Sequence, residues 1–290
     1  MDRKRFPAGG PARRRWPLWL ACATAAILAP PLPAAEDDGK EPPPKYSRPL
    51  IIEFEGMITP LLEQFVYRKL DTAKRQGADL VILRIDSPGG IVDPSVKTAE
   101  RLRDLDWART VAYVPREAIS GAAIVSLGCD DIVIHPSGTI GDAGPIFQDE
   151  LGAVHHAPEK IVSYLRQKVS GLAESTGHPP LLAEAMVDKD LVVYRVTNED
   201  SGETKFVRKE QYEKLTGEGG WEGGLVPETE EGVFFTVKGR RAAELGFADV
   251  AVEDYEGLKS HYGLTADPPV LAPTGLDTAI FLLNQPLVTA

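Results

Sequence analysis

Two short runs in the chain carry residue types suited to acyl-transfer chemistry. The first is Asp86-Ser87-Pro88-Gly89-Gly90, and the second is Ile119-Ser120-Gly121-Ala122-Ala123. Each lies where an apolar run gives way to a helical pattern. Paired glycines let a backbone turn sharply and present N–H groups to an anion. A serine at a helix start is ordinarily only an N-cap. Here, however, the small neighbours leave open space above the Ser120 hydroxyl, and the Gly121 N–H faces the same way. Two such loops at one edge of a parallel sheet could offer a nucleophile and two donors for an oxyanion. Either run alone reads as an ordinary tight turn or a helix cap.

The flanking elements have the pattern needed to bring the runs together. Residues 50–56 (LIIEFEG) suit a buried strand, and Thr59-Pro60 reads as an N-cap followed by proline at the first helical position. Leu61, Leu62, Phe65, Val66, Leu70 and Ala73 recur at helical spacing, and DLVILRID (79–86) is a second apolar strand. This strand–helix–strand order predicts a βαβ unit and hence a parallel sheet. The pattern continues with a helix over 94–105, a strand over 110–114, a short helix over 120–127 and a strand over 131–136. A longer helix begins near Pro158, with Ile161, Leu165, Val169 and Leu172 on one face, and another covers 179–187. Residues 192–230 break the rhythm. VVYRVTN and TKFVRKEQY alternate around EDSG, which predicts a β-hairpin, and GEGGWEGG reads as a loop. VFFTVKGRRAAELGFADVAV then resumes the strand–helix–strand order.

Composition narrows the function. The 290 residues are 43% hydrophobic and carry a net charge of −11. The first 35 hold six basic side chains against Asp2, so the remainder has 26 basic and 42 acidic groups, a net −16. Such a body has no general attraction for phosphates, and nucleic-acid binding is not expected. Residues 1–35 read as an export signal or N-terminal anchor, an arginine-rich start followed by WPLWLACATAAILA and small residues. Residues 36–48 form a polar, proline-rich linker. Cys22 and Cys129 cannot build a disulfide framework. Metal-ligand spacing is absent, and no cofactor is expected.

LRIDSPGGIVDPS followed by SGAAIVSLGCDDIVIHPSGTIGDAGPI resembles the serine peptidases of the Clp-protease/crotonase superfamily. It is most similar to the NfeD-type membrane peptidases and to signal peptide peptidase A. The resemblance covers about 48–192 and resumes over 233–258. It implies a mainly parallel α/β sheet flanked by helices, spanning 49–262, with 192–230 as an inserted hairpin. It also implies Ser120 as nucleophile, with Gly90 and Gly121 supplying the oxyanion N–H groups. A lysine serves these relatives as base, in a segment similar to APEKIVSYL, and the matching residue is Lys160. A lysine in a helix's first turn is disfavoured as a cation by the macrodipole, and burial would add to this. Glu159 and Asp142 would act in the opposite sense. The motif reads Ser-Gly-Ala where the NfeD type commonly has Ser-Ala-Gly.

Other arrangements stay open. In a Ser–His–Asp reading, His155 or His156 would approach from a loop that shows no evident orienting carboxylate. His135 ends a strand, and His178 and His261 read as surface positions. The expected function is an exported, membrane-associated serine peptidase acting on a peptide or membrane-protein substrate, as a homo-oligomer. A catalytically inactive scaffold of the same fold is the alternative. An acyl-CoA enzyme would share the oxyanion hole, but the signal-like start argues against it. The tail, 263–290, resembles the segment that leads into a membrane domain in NfeD-type proteins. A stretch so short cannot span a membrane, which points to truncation or to a separate membrane partner.

Overall fold

The computed structural model describes residues 45–149 and 152–272, together with Gly275 and Asp277. The signal or anchor, most of the linker and nearly all of LDTAIFLLNQPLVTA lie outside the described residues.

The first βαβ unit consists of β1 (Pro49–Glu55), α1 (Pro60–Arg75) and β2 (Leu80–Asp86). Thr59 caps α1, its Oγ1 accepting from the Leu62 N–H, and Pro60 sits where no N–H donor is needed. Next come α2 (Val92–Arg103), β3 (Arg109–Val114), β4 (Glu117–Ile119), α3 (Gly121–Leu127) and β5 (Asp131–Ile134). Three short strands follow, β6 (Thr139–Gly141), β7 (Ile146–Gln148) and β8 (Val154–His156), then the helices α4 (Glu159–Thr176) and α5 (Pro180–Val187). Residues 192–230 hold β9 (Tyr194–Asn198), β10 (Thr204–Val207), α6 (Lys209–Glu218) and β11 (Trp221–Leu225). The chain continues through β12 (Thr236–Lys238), α7 (Gly239–Glu244), β13 (Val250–Ala251) and α8 (Tyr255–Tyr262).

The central sheet has five parallel strands in the order β1-β2-β3-β5-β13. Its strands read as continuous apolar runs because both faces are covered. Ile52, Phe54, Leu83, Ile85, Ala112 and Ile132 join the larger core, shared with the helices α1 to α5. The alternate residues Ile51, Leu80, Ile82, Val111, Tyr113 and Val133 meet Leu258 and Tyr262 of α8 on the other face. Full burial of one such aliphatic side chain contributes about 1.5–3 kcal/mol. A smaller sheet, β12-β6-β4, is set beside the carboxyl ends of the central strands, tied to β2 through the Ser87–Ala118 bridge. The mainly parallel, helix-flanked α/β architecture is the one the residue pattern predicts.

This segment is richer than a hairpin. β9 and β10 pair antiparallel around the EDSG turn as expected, but β11 adds a third strand on the other side of β9. GEGGWEGG is therefore not simply a loop, and the expected strand TKFVRKEQY stops at Val207 before α6 begins. The reason is tertiary. Tyr194 and Tyr212 stack at 4.4 Å between centroids, and Lys205 lies over the Trp221 ring at 4.7 Å, so the pieces support each other.

Residues 269–271 return to the outer edge of β1. The Ile51 N–H donates to the Pro269 carbonyl at 3.0 Å, and the Leu271 N–H to the Ile51 carbonyl at 2.8 Å. Buried Lys69 donates to the Ala272 carbonyl and to Asp277 Oδ2, each at 2.8 Å.

Candidate active site

Ser120 sits between β4 and α3 with φ 57° and ψ −126°, a left-handed conformation for a non-glycine residue. Such a backbone costs on the order of 1–3 kcal/mol and persists only where its surroundings impose it. Those surroundings are visible. The Ser120 N–H donates to the Gly141 carbonyl at 2.9 Å, and the Ser120 carbonyl accepts from Ala123 at 3.0 Å. Its side chain makes no capping hydrogen bond. A strained strand-to-helix turn of this kind lifts a serine hydroxyl clear of the helix that follows it.

The glycine loop packs directly against this turn. A Cβ on Gly89, which has φ +96°, would overlap Ser120 Cβ and stand 2.7 Å from the Ile119 carbonyl. One on Gly90 would overlap the Ile58 backbone, because Ile58 bridges the loop from the other side. The Ile58 N–H donates to the Gly89 carbonyl and the Ile91 N–H to the Ile58 carbonyl, both at 2.9 Å. Gly121 is buried against the Ser95 side chain. Among the described residues, the N–H groups of Gly90 and Gly121 have no hydrogen-bond partner. Two free backbone donors therefore flank the serine, as an oxyanion site requires. Asp86 is not a free acid, since Arg116 pairs with it.

Lys160 stands in the first turn of α4, where a helix-start lysine was expected, but it is exposed rather than buried. It makes no hydrogen bond or ion pair among the described residues, with Ser120 or any other group. The lysines of α2 and α4 with carboxylate partners differ. Lys97 is held by Asp93 at 2.7 Å and Lys168 by Glu100 at 2.6 Å, and these bonds raise the pKa of each amine. Glu159 is drawn away from its neighbour: Arg166 bonds Glu159 Oε1 at 3.2 Å and Asp188 Oδ2 at 2.5 Å. Asp142 is exposed, with φ 51°, its N–H held by the Phe235 carbonyl.

The histidines need two corrections. His155 does have a carboxylate partner, with Nε2 at 2.8 Å from Asp149 Oδ2, and its ring stacks on Phe147. This pair spans the β7–β8 hairpin, whose turn hid it from a linear reading. His178 is buried rather than a surface residue, and its Nε2 has no partner among the described residues. Burial pushes its pKa down, against the nearby Asp249 and the Cys129 backbone. Its position after the Gly177 C-cap hid its inward orientation. Sequence reasoning also passed over Ser87, whose hydroxyl donates to the Gly56 carbonyl at 2.6 Å and accepts from the Gly89 N–H at 3.1 Å.

Comparison with known proteins adds the following. The family model described as NfeD1b, N-terminal domain, matches residues 50–216. The membrane protein NfeD1b of Bacillus subtilis is 30% identical over 141 residues, 49% of this chain and 31% of that protein. The membrane-bound protease PH1510 of Pyrococcus horikoshii is 26% identical over 144 residues, 49% of this chain and 33% of that protein. The chain thus spans about a third of the length of these relatives. Among solved structures, the 1510-N membrane-bound stomatin-specific protease, a lysine-to-alanine mutant with a substrate peptide, superimposes with a TM-score of 0.59 at 19% identity. It covers 82% of this chain and 98% of that one. A serine-to-alanine mutant of the same protease gives 0.58 at 19% identity, over 78% and 98%. What is shared with these structures is the fold.

Proposed function

Because the chain belongs to the NfeD1b N-terminal domain family, we propose that it is a membrane-associated serine peptidase. The observation that carries this reading is the pair of free N–H groups, on Gly90 and Gly121, beside a serine held in a strained turn. Ser120 attacks a peptide carbonyl, and its proton passes to Lys160, which must be neutral to accept it. The tetrahedral oxyanion forms between the two N–H groups, whose dipoles are already in place. Return of the proton to the leaving amine frees the first product, and water then hydrolyses the acyl-enzyme. Lys160 is preferred to its neighbours because no carboxylate holds it among the described residues. The solved relatives, in which a lysine and a serine are replaced, support a reading that uses both.

The proposed domain spans 49–262 and takes a peptide or a membrane-protein segment as substrate. The stomatin specificity in the relative's description supports that class. The export signal, homo-oligomer and membrane partner belong to the same proposal. A fluorophosphonate tests it: wild-type protein should be labelled at Ser120, and Ser120→Ala should not. A folded wild-type protein that resists labelling would favour the inactive scaffold.

A further inference from the structure

We infer that Ser87 is a positioning residue for the oxyanion hole, acting through the glycine loop rather than touching substrate. The inference rests on the peptidase reading above. Ser87 is fully buried at the end of β2 and joins three pieces of backbone. Its hydroxyl donates to the Gly56 carbonyl at 2.6 Å, just past β1. The same oxygen accepts from the Gly89 N–H at 3.1 Å. Its backbone N–H donates to the Glu117 carbonyl, and its carbonyl accepts from the Ile119 N–H, each at 3.0 Å. Ser87 is thus bonded on one side to the loop bearing Gly90 and on the other to β4, the strand that ends just before Ser120.

The geometry explains why a hydroxyl is needed. Gly89 takes φ +96°, and its carbonyl is committed to the Ile58 N–H. The Gly89 N–H bonds Ser87 Oγ in one peptide plane and the Gly89 carbonyl bonds Ile58 in the next, which also carries the Gly90 N–H, so both planes about Gly89 are held. The next N–H, on Gly90, is the one left without a partner. A hydroxyl can donate to Gly56 and accept from Gly89 together, whereas alanine can do neither. Without it the Gly89 N–H would be buried and unpaired, and the loop would reorient to satisfy it. Pro88 contributes no donor, which leaves the hydroxyl to set the turn.

The test uses the full chain, with fluorophosphonate labelling of Ser120 and cleavage of a fluorogenic peptide. Ser87→Ala should slow labelling and lower kcat by about 10- to 100-fold, since misaligning an oxyanion donor costs part of what removing it does. KM should stay unchanged, and so should the affinity of the same peptide measured in the Ser120→Ala background. Ser87→Cys keeps a weak donor and acceptor at similar size, so its rate should fall between the two. It also stands in if Ser87→Ala does not fold. Wild-type rates in a folded variant would overturn the inference. A matched loss of kcat and peptide affinity, marking a purely structural role, would do so too. Failure of wild-type protein to label would instead defeat the peptidase reading.

Discussion

In one region Ser120 is clasped by Gly89, Gly121 and the Gly141 carbonyl, all buried, and the Gly90 and Gly121 N–H groups have no partner among the described residues. In another region Lys160 is exposed on the first turn of α4, after the β7–β8 hairpin in the chain, with no bonded partner among the described residues. The contrast fits the two tasks proposed for them. Oxyanion stabilisation comes from dipoles fixed before the reaction, so looseness there is costly. A base need only reach its proton once substrate is bound, and catalytic hydrogen bonds often tighten only then.

The largest test of this division is the loss of either reactive side chain. Ser120→Ala and Lys160→Ala should each lower turnover by about 10⁴- to 10⁶-fold, with the double variant no worse than either. Steady-state kinetics on a fluorogenic peptide measures this. Full activity in Lys160→Ala would break the base half and point to His155, which Asp149 already holds. Stability should separate the halves next. Gly90→Ala drives a methyl group into the Ile58 backbone and should cost roughly 2–4 kcal/mol, whereas Lys160→Ala should stay within about 0.5 kcal/mol. Urea midpoints that move equally would erase the distinction.

A third test concerns pH. Burial lowers the His178 pKa, so the folded state favours the neutral ring. Above the ordinary histidine value neither state is charged, and the stability is complete. As pH falls through that value the unfolded chain takes up a proton first, and stability drops until the folded pKa is reached. Melting temperatures between pH 7.5 and 5 should fall more steeply for wild type than for His178→Asn, and parallel curves would contradict this. The smallest effect is expected from Asp142→Asn with Glu159→Gln. No carboxylate bonds Lys160 among the described residues, so the pH profile of activity should stay nearly in place. Glu159 should contribute less, because Arg166 already engages it. A large downward shift would show that one of these carboxylates acts on the lysine after all.

Much of the scaffold was legible because its signals are local. The βαβ rhythm, the Thr59 cap, the two glycine-containing runs and the first-turn position of Lys160 follow from spacing and residue type. The rest depends on contacts between distant segments. β11 is a strand because it pairs with β9, although its glycines suggest a loop. At Gly223 a Cβ would overlap the Arg195 carbonyl, so the glycine permits close approach of backbone. The same reason hid the Ser87 junction, the Arg166–Asp188 pair and the inward face of His178. Exposure of Lys160 was misjudged because a helix start says nothing about what covers it.

The return of residues 269–271 to β1 bears on solubility as well as shape. An open sheet invites growth at its rims, where unpaired amide and carbonyl groups can template a foreign strand. Here one rim, at β1, is occupied by the chain's own segment, and the other, β13, is two residues long. Lys69, buried beneath that segment and bonded to Ala272 and Asp277, leaves an uncompensated charge if the segment peels away. A protein proposed to handle extended chains thus offers them little of its main sheet on which to polymerise.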